Sequence, residues 1–334
     1  MKLVVLSKVI KDKQKAMIDA AASKACVDVC YVESEDAIPA DFADAEILYG
    51  LGVNTARTSK NLKWLAVTSA GVDFLLYPDS FANPDCILTN STGAYGVTIA
   101  EHIITVSLFM MRKLVYTYGK TLQHQWSEMQ PQKSLKDCRI TVLGTGDIGT
   151  CFAKRAQAFE PTTIIGLNRC GINRSLGDGI TNKGDKCDLT DYFDEIRPIS
   201  DLDSILPNTD LLVMCLPGTP ETENILNKER IALLPEEAYV VNVGRGNAID
   251  EEALADSLDA GKLAGAALDV FRTEPLPADS RLWTTKNLFI TPYVAGNQTM
   301  EHTLNRNVEL FCENLIRYAN GETLHNQIDR TKGY

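Results

Sequence analysis

No apolar run in this 334-residue sequence comes near the roughly 18 residues a membrane-spanning helix requires. The opening MKLVVLSKVIKDK offers only residues 3–6 before Ser7 and Lys8 interrupt, too short for a signal-peptide core. A soluble cytoplasmic protein is therefore expected. There is no CxxC pair: the nine cysteines, at 26, 30, 86, 138, 151, 170, 187, 215 and 312, are odd in number and scattered. That pattern argues against a zinc site or a redox dithiol, so no metal is expected, and it fits reduced thiols in the cytosol. No basic cluster breaks a net charge of −11, set by 33 Lys and Arg against 44 Asp and Glu. Nucleic acid and anionic membrane surfaces are excluded as partners on that ground. Internal repeats and low-complexity segments are also missing, which removes solenoids from consideration.

What is present is alternation. The length suits two domains. Short β-rich runs (KLVVL, VDVCYV, AEILYG, LKWLAV and CILT before residue 90; RITVLG, TTIIGL, DLLVMCL, AYVVNV, LAGAALDV and NLFITP after 138) are interleaved with helical patterns. Such interleaving predicts an α/β fold of two doubly wound parallel sheets covered on both faces. Between the two series lies VTIAEHIITVSLFMMRKL, residues 97–114, apolar and of helical length, followed by a polar stretch; a boundary falls near residue 100. The glycine- and aspartate-rich residues 177–186 read as an exposed loop. Residues 302–322 carry apolar side chains at 304, 308, 310, 311, 315 and 316, which predicts one amphipathic helix closed by Gly321.

Residues 139–149, RITVLGTGDIG, run from a strand pattern into Gly144, Gly146, Asp147, Ile148 and Gly149, followed by a helical pattern. In that context the first glycine makes a turn, the second admits a pyrophosphate and the third lets helix and strand pack closely. The helix N-terminus then attracts the anion. A glycine-rich turn without a ligand is the plainer alternative. The next strand pattern ends at Asn168 and Arg169, where a carboxylate would bind the ribose 2′-hydroxyl of NAD. An arginine there, helped by Arg174, pairs instead with a 2′-phosphate, so NADP(H) is favoured. NAD(H), with Arg169 as a solvated loop residue, is the alternative.

Residues 240–277, VVNVGRGNAIDEEALADSLDAGKLAGAALDVFRTEPLP, resemble the D-isomer-specific 2-hydroxyacid dehydrogenases, a family that includes glyoxylate and hydroxypyruvate reductases and phosphoglycerate dehydrogenases. SAGVD at 69–73, AYGVTIAEH at 94–102, GTGDIG, CLPGTPETENIL at 215–226 and LWTTKNLFITPYVAG at 282–296 match in the same order. The resemblance implies a flavodoxin-like substrate domain, residues 1–100 plus 293–334, and a Rossmann dinucleotide-binding domain, residues 101–292. It also implies a homodimer built around residues 97–134; an interior core helix is the competing reading of that apolar segment.

Arg245 matches the arginine that clamps the substrate carboxylate and polarises the keto oxygen. A permanently charged planar fork suits both tasks. Ala70 and Gly71 match the loop whose backbone amides cradle that carboxylate. Glu274 matches the glutamate that hydrogen-bonds the acid–base residue, and Asp269 an aspartate near the nicotinamide. Leu216, Pro217 and Thr222 match the loop beside adenosine and pyrophosphate, and Val243 a residue against the nicotinamide.

One position departs. The family usually reads TPHxA where this chain reads Thr291, Pro292, Tyr293, Val294, Ala295. An imidazole gives and takes a proton near neutrality, whereas a phenol, with an ordinary pKa of about 10, donates but is a poor base at pH 7. Three readings follow. Tyr293 acts as general acid in an enzyme biased toward reduction; another group, His102 or His302 or an ordered water, supplies the proton; or the protein is a catalytically weak NADP(H)-binding sensor. The expected function is NAD(P)H-dependent reduction of a small 2-keto acid to the D-2-hydroxy acid.

Overall fold

The computed structural model describes residues 1–172 and 188–330; Arg174 and the expected loop at 177–186 lie outside the described residues. The chain forms two compact units, Met1–Tyr95 with Asn297–Tyr334, and Gly96–Gly296. The first crossing coincides with the start of a helix at Gly96.

In the first unit the order is β1 (Lys2–Leu6), α1 (Asp12–Ala25), β2 (Asp28–Val32), β3 (Ile47–Tyr49), α2 (Val53–Thr58), β4 (Trp64–Ala66) and β5 (Ile87–Thr89). The sheet order is β2-β1-β3-β4-β5, all parallel, which is the flavodoxin-like arrangement. Both faces are covered, so the strands read as continuous apolar runs. Leu3 and Val5 join one core, with Ile18, Tyr49, Trp64, Val308, Phe311 and Leu315. Val4, Leu48, Leu65 and Leu88 belong to the core on the opposite face. The C-terminal helix, Glu301–Ala319, supplies the outer layer of the first core; Phe311 stacks on Tyr49 at 4.3 Å and on Trp64 at 5.4 Å.

The second unit runs α3 (Gly96–Met111), α4 (Leu114–Leu122), β6 (Arg139–Leu143), α5 (Asp147–Ala156), β7 (Thr163–Asn168), β8 (Glu195–Pro198), α6 (Leu202–Ile205), β9 (Leu211–Met214), α7 (Lys228–Leu233), β10 (Tyr239–Asn242), α8 (Glu251–Asp259), β11 (Gly265–Leu268) and β12 (Leu288–Ile290). Its sheet order is β12-β11-β10-β9-β6-β7-β8, all parallel: the doubly wound dinucleotide-binding order with one added edge strand. The sequence expectation lacked β8. Its residues alternate between exposed and half-buried at the sheet edge, so no apolar run marks it.

The apolar segment after residue 96 divides in two. α3 lies against α5, β10 and β11, burying Ile99, Ile103, Val106 and Met110. Lys113 adopts a left-handed conformation (φ 53°) and ends that direction. No residue of α4 is buried, and Leu114, Val115, Tyr116, Tyr118, Leu122, Trp126 and Met129 are exposed. Among the described residues no helix is long and apolar enough to cross a membrane.

Asp210 ties the start of β6 to the β9 edge. It accepts from the Arg139 backbone at 2.9 Å, from Arg139 Nε at 2.8 Å and from Lys133 Nζ at 2.7 Å. Burial alone would raise its pKa; these donors outweigh it and hold the carboxyl at about 2. A depressed carboxyl pKa stabilises the fold above about pH 4 by roughly 2 kcal/mol, a contribution lost as pH falls through the folded value. Asp210→Asn is expected to lower the unfolding free energy by that order at pH 7, with the gap to wild type closing below pH 3 in denaturant titrations. An equal gap at both pH values would contradict this.

Candidate active site

The strand registers of the second unit place one residue from each of six of its seven strands in a single row: Leu167, Leu143, Met214, Asn242, Leu268 and Ile290 are successive pairing partners. Their immediate successors are Asn168, Gly144, Cys215, Val243, Asp269 and Thr291. The residues marked in the sequence as cofactor contacts therefore leave the sheet along one carboxyl edge, where open α/β sheets bind ligands.

The glycine-rich turn fits a dinucleotide on its own geometry. Gly144 has φ +98°, and a Cβ there would lie 2.8 Å from the Cys215 carbonyl oxygen; one at Gly149 would lie 2.0 Å from that of Gly144. A Cβ at Gly146, by contrast, would meet nothing within 4 Å. The first and third glycines are thus demanded by the protein itself, and the second leaves an open cradle beside Ile148 at the start of α5, the side an anion approaches. Beyond β7, Asn168 is occupied with its own turn: Oδ1 accepts from the Cys170 and Ile172 amides, and Nδ2 donates to Thr145 Oγ1 at 3.2 Å and to the Ile172 carbonyl at 3.0 Å. That turn presents Arg169 at the surface, 4.0 Å from Glu221. The Glu221 carboxyl is held below its usual range by its own backbone amide, then by Thr219 and Arg169. The loop after β9 is closed by Thr222 Oγ1, which donates to the Pro217 carbonyl at 2.7 Å. Leu216 and Val243 are buried, and the Val243 amide donates to Met214.

Arg245 sits on a loop with little freedom. Asn242, buried at the end of β10, accepts from the Gly244 amide at 3.0 Å and donates to the Arg245 carbonyl at 2.9 Å. A Cβ at Gly244 would lie 2.6 Å from the Leu216 carbonyl oxygen, and one at Gly246 1.9 Å from the Phe271 carbonyl carbon. Neighbouring backbone thus presses on both flanks of the arginine. Its Nη1 donates to the Gly244 carbonyl at 2.9 Å, and its Cγ lies 3.2 Å from where a Gly218 Cβ would stand.

Asp269 organises the loop that carries Tyr293. Its Oδ1 accepts from Thr291 Oγ1 at 2.7 Å and the Val294 amide at 2.9 Å, its Oδ2 from the Ala295 amide at 3.0 Å, and its carbonyl from the Tyr293 amide at 3.0 Å. Tyr293 is held in the left-handed region (φ +55°), where non-glycine residues are uncommon, with its side chain exposed. His102 of α3 stands behind this loop, Nε2 3.3 Å from Thr291 Oγ1 and 4.0 Å from Asp269. Burial lowers its pKa, only partly opposed by Asp269, so it is neutral at pH 7. Glu274 Oε1 accepts from the Phe271 amide at 2.8 Å, and no hydrogen bond among the described residues joins it to Tyr293. A second carboxyl, Glu251, accepts from the Arg272 amide and is raised above the usual range by burial, with Glu274 adding to the rise.

In the first unit the loop after β4 has its peptide planes fixed: the Ala70 carbonyl accepts from Asn90 Nδ2 at 2.6 Å and the Gly71 carbonyl from Ser69 Oγ at 2.7 Å. His302 is exposed on the C-terminal helix.

Sequence reasoning overlooked Asn242, Thr291, Glu221 and Glu251. The glycines flanking Arg245 were the available signal for Asn242. The others act through contacts with residues 21 or more positions away, which spacing does not reveal. Gly246→Ala is expected to displace the arginine loop and lower kcat/KM about a hundredfold, a loss checked by steady-state kinetics beside a thermal melt. Near-wild-type kinetics would refute the pinned-loop description.

The sequence family described as D-isomer specific 2-hydroxyacid dehydrogenase, NAD binding domain, matches residues 104–295. The chain is 28% identical over 307 residues to glyoxylate/hydroxypyruvate reductase A of Klebsiella pneumoniae (strain 342), covering 89% of this chain and 88% of that protein. Among solved structures, a D-isomer specific 2-hydroxyacid dehydrogenase family protein from Aeromonas salmonicida subsp. salmonicida A449 superimposes with a TM-score of 0.83 at 30% identity, covering 98% of this chain and 99% of the other. The D-isomer specific 2-hydroxyacid dehydrogenase from Xanthobacter autotrophicus Py2, in complex with NADPH and MES, gives 0.77 at 27% identity, covering 100% and 99%. With two parallel sheets in the matching architecture and the nucleotide-binding half recognised across its length, the chain belongs to the D-isomer specific 2-hydroxyacid dehydrogenase family, and its activity is that of an oxidoreductase.

Proposed function

We propose that this dehydrogenase reduces a small 2-keto acid to the D-2-hydroxy acid, with NADPH preferred over NADH. The observation that carries the reading is Arg245, pinned between two glycines that neighbouring backbone dictates, on the same sheet edge as the glycine-rich turn. A guanidinium fixed in that way binds a carboxylate through paired N–H donors and stabilises negative charge growing on the adjacent keto oxygen. When bound, the nicotinamide supplies the hydride. Gly144, Gly146, Ile148 and Gly149 hold the pyrophosphate, Leu216, Pro217 and Thr222 border the nucleotide, and Val243 and Asp269 border the nicotinamide. Ala70 and Gly71 are proposed to donate their backbone amides to the substrate carboxylate.

Tyr293 is assigned as the proton donor to the keto oxygen. The exposed phenol is carried by a loop that Asp269 fixes through three side-chain hydrogen bonds, so it is presented without being consumed by the fold. His102 is a poorer candidate because burial keeps it neutral and its Nε2 faces Thr291. Glu274 is anchored locally, by the Phe271 amide two residues after Asp269. A phenol is a better acid than base in this role, so the reading favours reduction of the keto acid over oxidation of the hydroxy acid. The absence of a Tyr293–Glu274 hydrogen bond among the described residues favours a second reading, a weakly active NADP(H) sensor. The apolar exposed surface of α4, with Trp126 and Met129, supports a homodimer through residues 97–134.

NADPH oxidation measured against glyoxylate, hydroxypyruvate, pyruvate and longer 2-keto acids tests the assignment. Tyr293→Phe is expected to lower kcat about a hundredfold or more, and Tyr293→His to restore turnover and lift oxidation at neutral pH. Full activity in the Phe variant would remove the phenol from the mechanism; micromolar NADPH binding without turnover of any keto acid would leave the sensor. Cofactor choice has its own test. Glu221 competes for Arg169, so Glu221→Gln is expected to raise the kcat/KM ratio of NADPH over NADH roughly threefold at low salt and less at high salt. A ratio that falls would mean Arg169 does not meet the 2′-phosphate.

A further inference from the structure

The turn GTGDIG contains a side chain that the phosphate-binding motif does not require. Asp147 opens α5, and its residue is only 8% exposed. Its Oδ2 accepts the backbone N–H of Gly96 at 2.8 Å, and its Oδ1 stands 3.7 Å from Cys151 Sγ. Gly96 is the first residue of α3, a 16-residue helix that lies against α5. The approach is close: a Cβ at Gly96 would be 2.2 Å from Asp147 Oδ1 and 2.7 Å from Cys151 Sγ, so a side chain there would displace the Asp147 carboxylate. A carboxylate from one helix thus satisfies a backbone donor that the N-terminus of another leaves unpaired, and its charge suits that end of the helix dipole. The charge is felt locally. Burial first and Asp147 second push the Cys151 thiol up to about 12, and Cys215 is raised by the same two causes.

The same carboxylate occupies the first turn of α5, the end of the helix that a pyrophosphate uses. Any uncharged side chain would oppose the anion less. We infer that Asp147 is a positioning residue for the dinucleotide: it ties the glycine-rich turn to the first amide of α3, and it accepts a loss of cofactor affinity in doing so because its charge shares the helix N-terminus with the pyrophosphate. This rests on the dinucleotide reading of the turn.

Charge and tether separate in two variants. Asp147→Asn keeps an oxygen acceptor for the Gly96 N–H and removes the charge; Asp147→Ala removes both. Dissociation constants for NADPH, read from nicotinamide fluorescence, are expected to be about threefold tighter than wild type for Asn and roughly fivefold weaker for Ala than for Asn. In steady-state assays the Ala variant raises the KM for NADPH more than it lowers kcat. Gly96→Ala, which forces a carbon against the same carboxylate, weakens binding in the direction of Asp147→Ala, and its effect shrinks when combined with that change. Equal constants for the Asn and Ala variants would overturn the tether, and an Asn variant weaker than wild type would overturn the opposition of charge. If the wild-type protein binds neither NADPH nor NADH, the dinucleotide reading falls and this inference falls with it.

Discussion

Six parallel strands of the second unit end in register. Because Leu167, Leu143, Met214, Asn242, Leu268 and Ile290 pair in one continuous row, the chain leaves the sheet six times along a single edge. A parallel sheet requires this, since every strand must run the same way and every return must cross over a face. Loops far apart in sequence, at 144, 168, 215, 243, 269 and 291, are thereby delivered together with their backbones already aimed. The residues proposed to bind the dinucleotide, grip the carboxylate and donate the proton stand on or just after these exits, and a shift of register in any strand would misplace one of them.

Rigidity at that edge comes from backbone crowding and one carboxylate. Arg245 is held because the chain at Leu216 and Phe271 leaves no room for a side chain on either flank. Tyr293 is held because Asp269, buried at the end of β11, collects a hydroxyl and two amides from the β12 exit, and its carbonyl collects a third. A buried carboxylate is tolerable when its oxygens are satisfied, and here they are satisfied by the segment that needs ordering. The support of this loop comes from Asp269 and does not depend on which side chain stands at position 293. With the proposed phenol donor, protonation of an alkoxide is easier than withdrawal of a proton from an alcohol.

Much of this was legible in the sequence, and the gaps have physical causes. Eleven strands announce themselves by apolar runs, most of them because both faces are covered; β8, at the edge with Glu195 and Arg197 outward, carries no such mark. The glycine-rich turn and the arginine motif are local, so spacing reveals them. The dual nature of residues 97–122 is not: composition registers an apolar segment, but only packing shows that α3 spends its apolar face inside the unit while α4 leaves its own uncovered. Asp269 reads as a cofactor neighbour, yet its bonds are to a loop more than 20 residues on. Asp147 reads as part of a phosphate motif, and its partner lies 51 positions earlier. Long-range polar pairing leaves no periodic trace, which is why these residues emerge only in three dimensions.

The central claim is that the Arg245 guanidinium grips the carboxylate of a 2-keto acid beside the bound dinucleotide. Calorimetric titration of oxamate, an unreactive 2-keto acid analogue, into the NADPH-loaded protein and its Arg245→Gln variant tests this most directly. The account predicts saturable binding to the wild type and a loss of at least about tenfold in the variant, the cost of removing a charged hydrogen-bond pair. Oxamate binding of equal strength in both proteins would contradict it.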